Sequence, residues 1–244
     1  MPDTALIALT WRITRRRLVS SPAAVVSALA FPALVVWIGL VDSYATAARI
    51  LLFLLPHAFL VAAQDAVRSD VEGGVLENVL FLDGRFRAFL RAKILVVAAV
   101  AGGYALCLFG LFAAWGAAVG AFRPVLAAQF ALSLLAGIYY VALAGALSHF
   151  FRAGSNVLII LVAQSAAVLG LIFSATARTG FLDYAAAGRF PGLGPKLLFA
   201  AFVAVLPNVV VSGRLLVFAA EVAAGAGLAF FVQGRLARRL EIRK

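Results

Sequence analysis

Long apolar runs broken by short polar stretches set the pattern of this chain. The runs cover residues 23–41, 47–66, 94–118, 125–149, 157–177 and 215–232. Each has the length of about 17–25 residues that a helix needs to cross a hydrocarbon core about 30 Å thick. They predict an all-α polytopic membrane protein with six transmembrane helices in a single domain over residues 1–244. Pro32 lies inside the first run and should kink it. Ahead of the runs, residues 4–19 place Leu6, Leu9 and Ile13 at helical spacing beside Trp11, with Arg12, Arg15, Arg16 and Arg17 around them. This predicts an interfacial amphipathic helix, arginines at the headgroups and Trp11 at the boundary; a plain basic leader to the first span is the alternative. Because a full-length span follows the arginines, the N-terminus does not read as a cleavable signal.

Two sections interrupt the apolar rhythm. In the first, Gln64, Asp65, Arg68, Asp70 and Glu72 extend the second span into water. Gly73 and Gly74 then allow a sharp redirection. Leu76, Val79 and Leu80 form one face of a short helix, with Glu77 and Asn78 on another. Asp83 and Gly84 mark a turn. Phe86, Phe89 and Leu90 give the next helix an apolar side, with Arg85, Arg87, Arg91 and Lys93 at headgroup level, and that helix leads straight into the third span. Periodicity leaves two roles open for residues 70–93, a surface-lying loop helix or an amphipathic lever docked in a partner's groove. In the second section, residues 178–212, Gly180, Gly188, Pro191, Gly192, Gly194, Pro195 and Pro207 are the densest breaker cluster. The apolar piece from Leu197 to Leu206 inside it is too short to span and predicts a re-entrant or interfacial segment.

Composition agrees with the pattern: 13% of the 244 residues are charged, against about 25% in a soluble domain. The net charge of +11 would point to nucleic acid on a soluble protein. Here the basic residues flank spans, so they read as topogenic. Fifteen of the 21 lysines and arginines fall in the N-terminal segment, the stretch from Arg68 to Lys93, Arg152 and the C-terminal tail. By the positive-inside rule both termini and the first polar section lie in the cytoplasm, with the chain multi-pass in the cell membrane. Cys107 sits in an apolar run and reads as packing filler.

Catalytic patterns are missing from the sequence. It has no Gly-x-x-x-x-Gly-Lys-Ser/Thr phosphate loop, no His-Glu-x-x-His or cysteine-pair metal site, and no Gly-x-Ser-x-Gly elbow. The reading is a non-enzyme with no catalytic residues, metal site or cofactor of its own. His57 and Glu221 are intramembrane polar candidates, because ionisable residues in spans are functional suspects by default. Together with Asp42 they are what an ATP-independent secondary transporter or channel would have to use. A membrane-anchored scaffold, a third class, would need neither the polar lever nor the re-entrant breakers. Gly116 and Gly120 form one GxxxG spacing, a weak packing signal in a glycine-rich chain.

The stretch Asp70-Val-Glu72-Gly73-Gly74-Val75-Leu76-Glu77-Asn78-Val79-Leu80, followed by Asp83-Gly84 and Arg91-Ala92-Lys93, resembles the connection between spans 2 and 3 in the ABC-2 family of ATP-binding-cassette transporter permeases, which have the type V exporter fold. The family shows an acidic cluster, Glu-x-Gly-x-Leu-Glu-x-Leu-Leu, a turn and a basic helix ending near a Lys. This chain departs from it where Gly74 replaces a Ser or Thr and Asp83-Gly84 replaces a Pro-centred turn. The motif covers about a tenth of the chain, and the six-span layout, interfacial helix and broken section before the last span extend the likeness over nearly all of it.

The resemblance implies the permease subunit of an ATP-driven exporter. Two permeases, as a homo- or heterodimer, would form the pathway, and two copies of a separate P-loop ATPase would supply ATP and Mg. It implies that residues 70–93 hold the coupling helix, with Asp70, Glu72, Gly73, Gly74, Leu76, Glu77, Asn78 and Leu80 contacting or positioning the ATPase. It further implies dimer contacts on spans 1 and 5, and an extracytoplasmic gate at Leu197, Leu206, Pro207 and Asn208. Phe-, Leu- and Ala-rich spans fit a hydrophobic or amphipathic cargo. Haem-export permeases of cytochrome maturation belong to the same group and are an alternative within it.

Overall fold

The computed structural model describes residues 4–20, 22–64, 74–75, 86–151, 154–177, 180, 183, 189–205 and 215–242. Of these, 89% are helical, with no strand among them. The described helices are α1 (Thr4–Ser20), α2 (Pro22–Val41), α3 (Tyr44–Ala63), α4 (Phe86–Ala118), α5 (Val125–Leu147), α6 (Ser155–Thr176), α7 (Leu193–Val205) and α8 (Leu215–Ile242). Five of them, α2 to α6, are long and apolar enough to cross a membrane. Their caps explain their bounds. Thr46 N–H donates to Ser43 Oγ at 3.2 Å, capping the start of α3. At the far end of α4, Gly120 turns left-handed (φ 66°). Ala121 N–H then reaches Gly116 O at 2.8 Å and Gly120 N–H reaches Ala117 O at 3.2 Å. That is a Schellman stop, so Gly120 serves as the helix end, while Gly116 serves packing against α3. Gly116 itself abuts the Tyr44 ring.

The helices alternate in direction. Tyr104 OH donates to Ala28 O at 2.7 Å and Trp115 lies against Gly39, so α2 and α4 run parallel. Tyr44 stacks on Phe112 at 4.4 Å while Phe59 nears Gly102, so α3 runs the other way. Ser133 Oγ donates to Leu52 O at 2.8 Å and Gly137 faces Phe59, which sets α5 parallel to α3. Asn156 at the start of α6 meets Gln64 at the end of α3. Tyr139 touches Gly225 and Gln233 packs on Gly145, so α8 runs with α5.

Helix α5 is the hub. It packs along α3 and α8 and touches α4 and α6, and 67% of its span is buried in protein against 6% for α2. Small residues make this possible. Ala136, Gly137, Ala144 and Gly145 are all buried, and such residues let membrane helices approach closely where lipid supplies no hydrophobic drive.

Candidate functional site

Three polar side chains meet inside the bundle. His57 on α3 lies seven residues before Gln64, Tyr140 on α5 seven before Leu147, and Gln164 on α6 nine after Ser155. At about 1.5 Å per residue each sits roughly 10–13 Å in from the same end of the bundle. Gln164 Nε2 donates to Tyr140 OH at 2.6 Å, and Gln164 Oε1 lies 3.0 Å from His57 Nε2. Since that Oε1 accepts, His57 Nε2 carries the proton and Nδ1 is left as an acceptor. His57 Nδ1 is buried and has no partner. The partner of His57 is Gln164, more than 100 residues along the chain. The helices are joined again nearer their ends, where the buried Asn156 amide donates to Gln64 O at 3.0 Å and to Ala144 O at 3.3 Å.

His57 also borders an apolar groove of about 780 Å³ between α2, α3 and α4, walled by Phe31, Leu34, Ala58, Val100 and Tyr104 among others. Glu221 is not part of this site. It is exposed on α8, four residues before the Gly225–Tyr139 contact, and so lies about 18 Å in from the Leu147 end of α5. Leu197 is exposed on α7; Leu206, Pro207 and Asn208 lie outside the described residues.

A second region gathers at the end where α3 finishes and α4 begins. Phe86 and Phe89 are fully buried with Leu90, packed with Ala237 of α8, Leu6 and Ile13 of α1, and Val75. The first turns of α4, the N-terminal helix and the end of α8 are thus one packed unit. Helix α1 presses Leu6, Ile13 and the buried Thr10 and Thr14 inward. Thr10 is accommodated because its hydroxyl bonds back to Leu6 O at 2.8 Å. Arg12, Arg15, Arg16 and Trp11 stay exposed. Lys93 is buried against protein, only 4% exposed. Of the coupling candidates, Gly74 is described, at φ 70°. Asp70, Glu72, Gly73, Leu76, Glu77, Asn78 and Leu80 lie outside the described residues.

Together these features define an all-helical membrane protein. No protein-family profile matches the chain, and comparison with curated proteins gives no match.

Proposed function

We propose that this chain is the permease subunit of an ATP-driven exporter of the ABC-2 type, which couples to a separate ATPase through residues 70–93. The carrying observation is the Glu72-Gly73-Gly74-Val75-Leu76-Glu77 motif and its place between α3 and α4. The left-handed Gly74 supports a sharp redirection there, and its departure from Ser or Thr fits a backbone that side chains other than glycine's adopt poorly. A push on this stretch would act on α4, a single 33-residue helix about 50 Å long. Through Phe86, Phe89 and Leu90 it would also move α1 and α8.

Further features fit the same machine. Helix α8, 28 residues long and aligned with α5, is the sixth crossing in this reading. Helix α7, at 13 residues about 20 Å long, is the re-entrant piece, with Leu197, Leu206, Pro207 and Asn208 as its gate. The two crossings expected at the dimer contact, α2 and α6, are the least buried of the five spans, at 6% and 12%. The apolar groove beside His57 suits a hydrophobic or amphipathic cargo. The basic clustering at the α1 end supports a cytoplasmic location for that end and both termini, in a cell membrane.

The test is copurification in mild detergent or nanodiscs. A P-loop ATPase should accompany the chain, ATP and Mg should drive transport, and Glu72→Ala or Leu76→Asp should uncouple hydrolysis from transport while the protein stays folded. Absence of any ATPase, with transport indifferent to ATP, sinks the reading. The unpartnered His57 Nδ1 favours one other function, proton-coupled secondary transport. That reading requires transport driven by a pH gradient without ATP and abolished by His57→Gln.

A further inference from the structure

At the α1 end of the bundle, α4 and α8 enclose a groove of about 600 Å³. Its rim carries four arginines, Arg87 and Arg91 from α4 and Arg235 and Arg238 from α8, and no acidic residue lines it among the described residues. Its deeper wall is apolar, formed by Leu90, Ile94, Phe230 and Phe231. Arg235 holds its guanidinium 5.1 Å over the Phe231 ring, at the boundary between the two halves. Gln233, only 2% exposed, backs the wall, with its amide turned against Gly145 of α5. Four cations above an apolar wall fit a ligand that joins an anionic head to an apolar tail. The depth is also telling. Helix α4 exceeds the ~30 Å core by roughly 20 Å, and Arg87 and Arg91 lie in its first two turns. The groove therefore joins a headgroup-level basic rim to an acyl-level apolar wall.

We propose that this groove binds the phosphate headgroup of an anionic phospholipid, with the start of an acyl chain against Phe230 and Phe231. Basic pockets between helices on the positively flanked side of a membrane protein recognise such headgroups, and each arginine near the surface contributes about a fivefold gain in affinity. The proposal does not depend on the permease reading, and its failure would leave that reading standing.

The experiment uses the full chain in phosphatidylcholine nanodiscs with and without phosphatidylglycerol. Retained phosphatidylglycerol is counted by native mass spectrometry, and the thermal unfolding midpoint is followed. The wild type should retain phosphatidylglycerol and unfold at a higher temperature with it. Arg91→Gln with Arg238→Gln, both exposed positions, should weaken retention about 25-fold. Arg235→Gln alone, also at an exposed position of the rim, should weaken retention about fivefold. Arg12→Gln with Arg15→Gln, an equal charge loss on the outer face of α1, should retain the lipid. Unchanged retention in either groove variant overturns the proposal. So does an equal loss in the α1 control, or an equal midpoint shift with inorganic phosphate in place of the lipid.

Discussion

Gly137→Ala isolates the contact that sets the spacing of α3 and α5. A Cβ at Gly137 would fall 2.5–2.7 Å from Cδ2, Cε2 and Cγ of Phe59, against the ~3.5–4.0 Å of a good carbon contact. The ring is 2% exposed and cannot swing clear, so the helices must part by about 1 Å. Overpacking of this kind costs about 1–3 kcal/mol. Ala is favoured over Gly inside a helix by about 0.8–1.0 kcal/mol, so the net loss is about 0–2 kcal/mol and the single variant says little by itself. The double-mutant cycle with Phe59→Leu removes the ambiguity, because the propensity gain is common to both backgrounds. With the ring edge gone, Gly137→Ala should become neutral or stabilising, giving a coupling of about 1 kcal/mol or more. Unfolding in mixed micelles, followed by tryptophan fluorescence, measures all four corners. Additivity within about 0.5 kcal/mol would refute the claim that Phe59 and Gly137 set this helix spacing.

Gln164→Leu should strand both His57 Nε2 and the bond to Tyr140, at a cost of about 1–2 kcal/mol, with α6 loosening first in hydrogen exchange; unchanged protection of α6 would refute the link. His149 lies just past α5, and burial holds its pKa below 6.5, at about 4. The unfolded chain therefore takes up this proton first. The stability that depends on the neutral imidazole is complete above about pH 6.5 and drains away as pH falls towards 4. Unfolding midpoints over that window should fall for the wild type and stay flatter for His149→Gln, and equal slopes would refute the assignment.

Much of the architecture is legible in the residues because bilayer thickness and backbone hydrogen bonding leave few options. The apolar runs at 47–66, 125–149 and 157–177 became helices displaced by no more than about three residues at either end. The basic helix at Phe86 did lead unbroken into the third run, and Gly74 did take a left-handed turn. Less was legible wherever a polar residue is buried. Thr10 is polar yet faces the core, since its hydroxyl bonds its own helix backbone at Leu6 O. Lys93 is charged and likewise buried.

The sequence by itself determined that the chain crosses a membrane, which segments are helical, and where the basic charge lies. It did so because apolar length and backbone self-satisfaction are local properties. Only the tertiary structure decided which helix is the hub. Runs α2 and α5 are both strongly apolar, with mean hydropathies of 2.4 and 2.0, yet 6% of one and 67% of the other is buried in protein. Lipid tails are as apolar as leucine, so hydropathy does not distinguish a lipid neighbour from a helix. The choice fell to shape, through the small residues of α5 that admit Phe59 and Gln233, and to the polar contacts that bring His57, Tyr140 and Gln164 together from three separate helices.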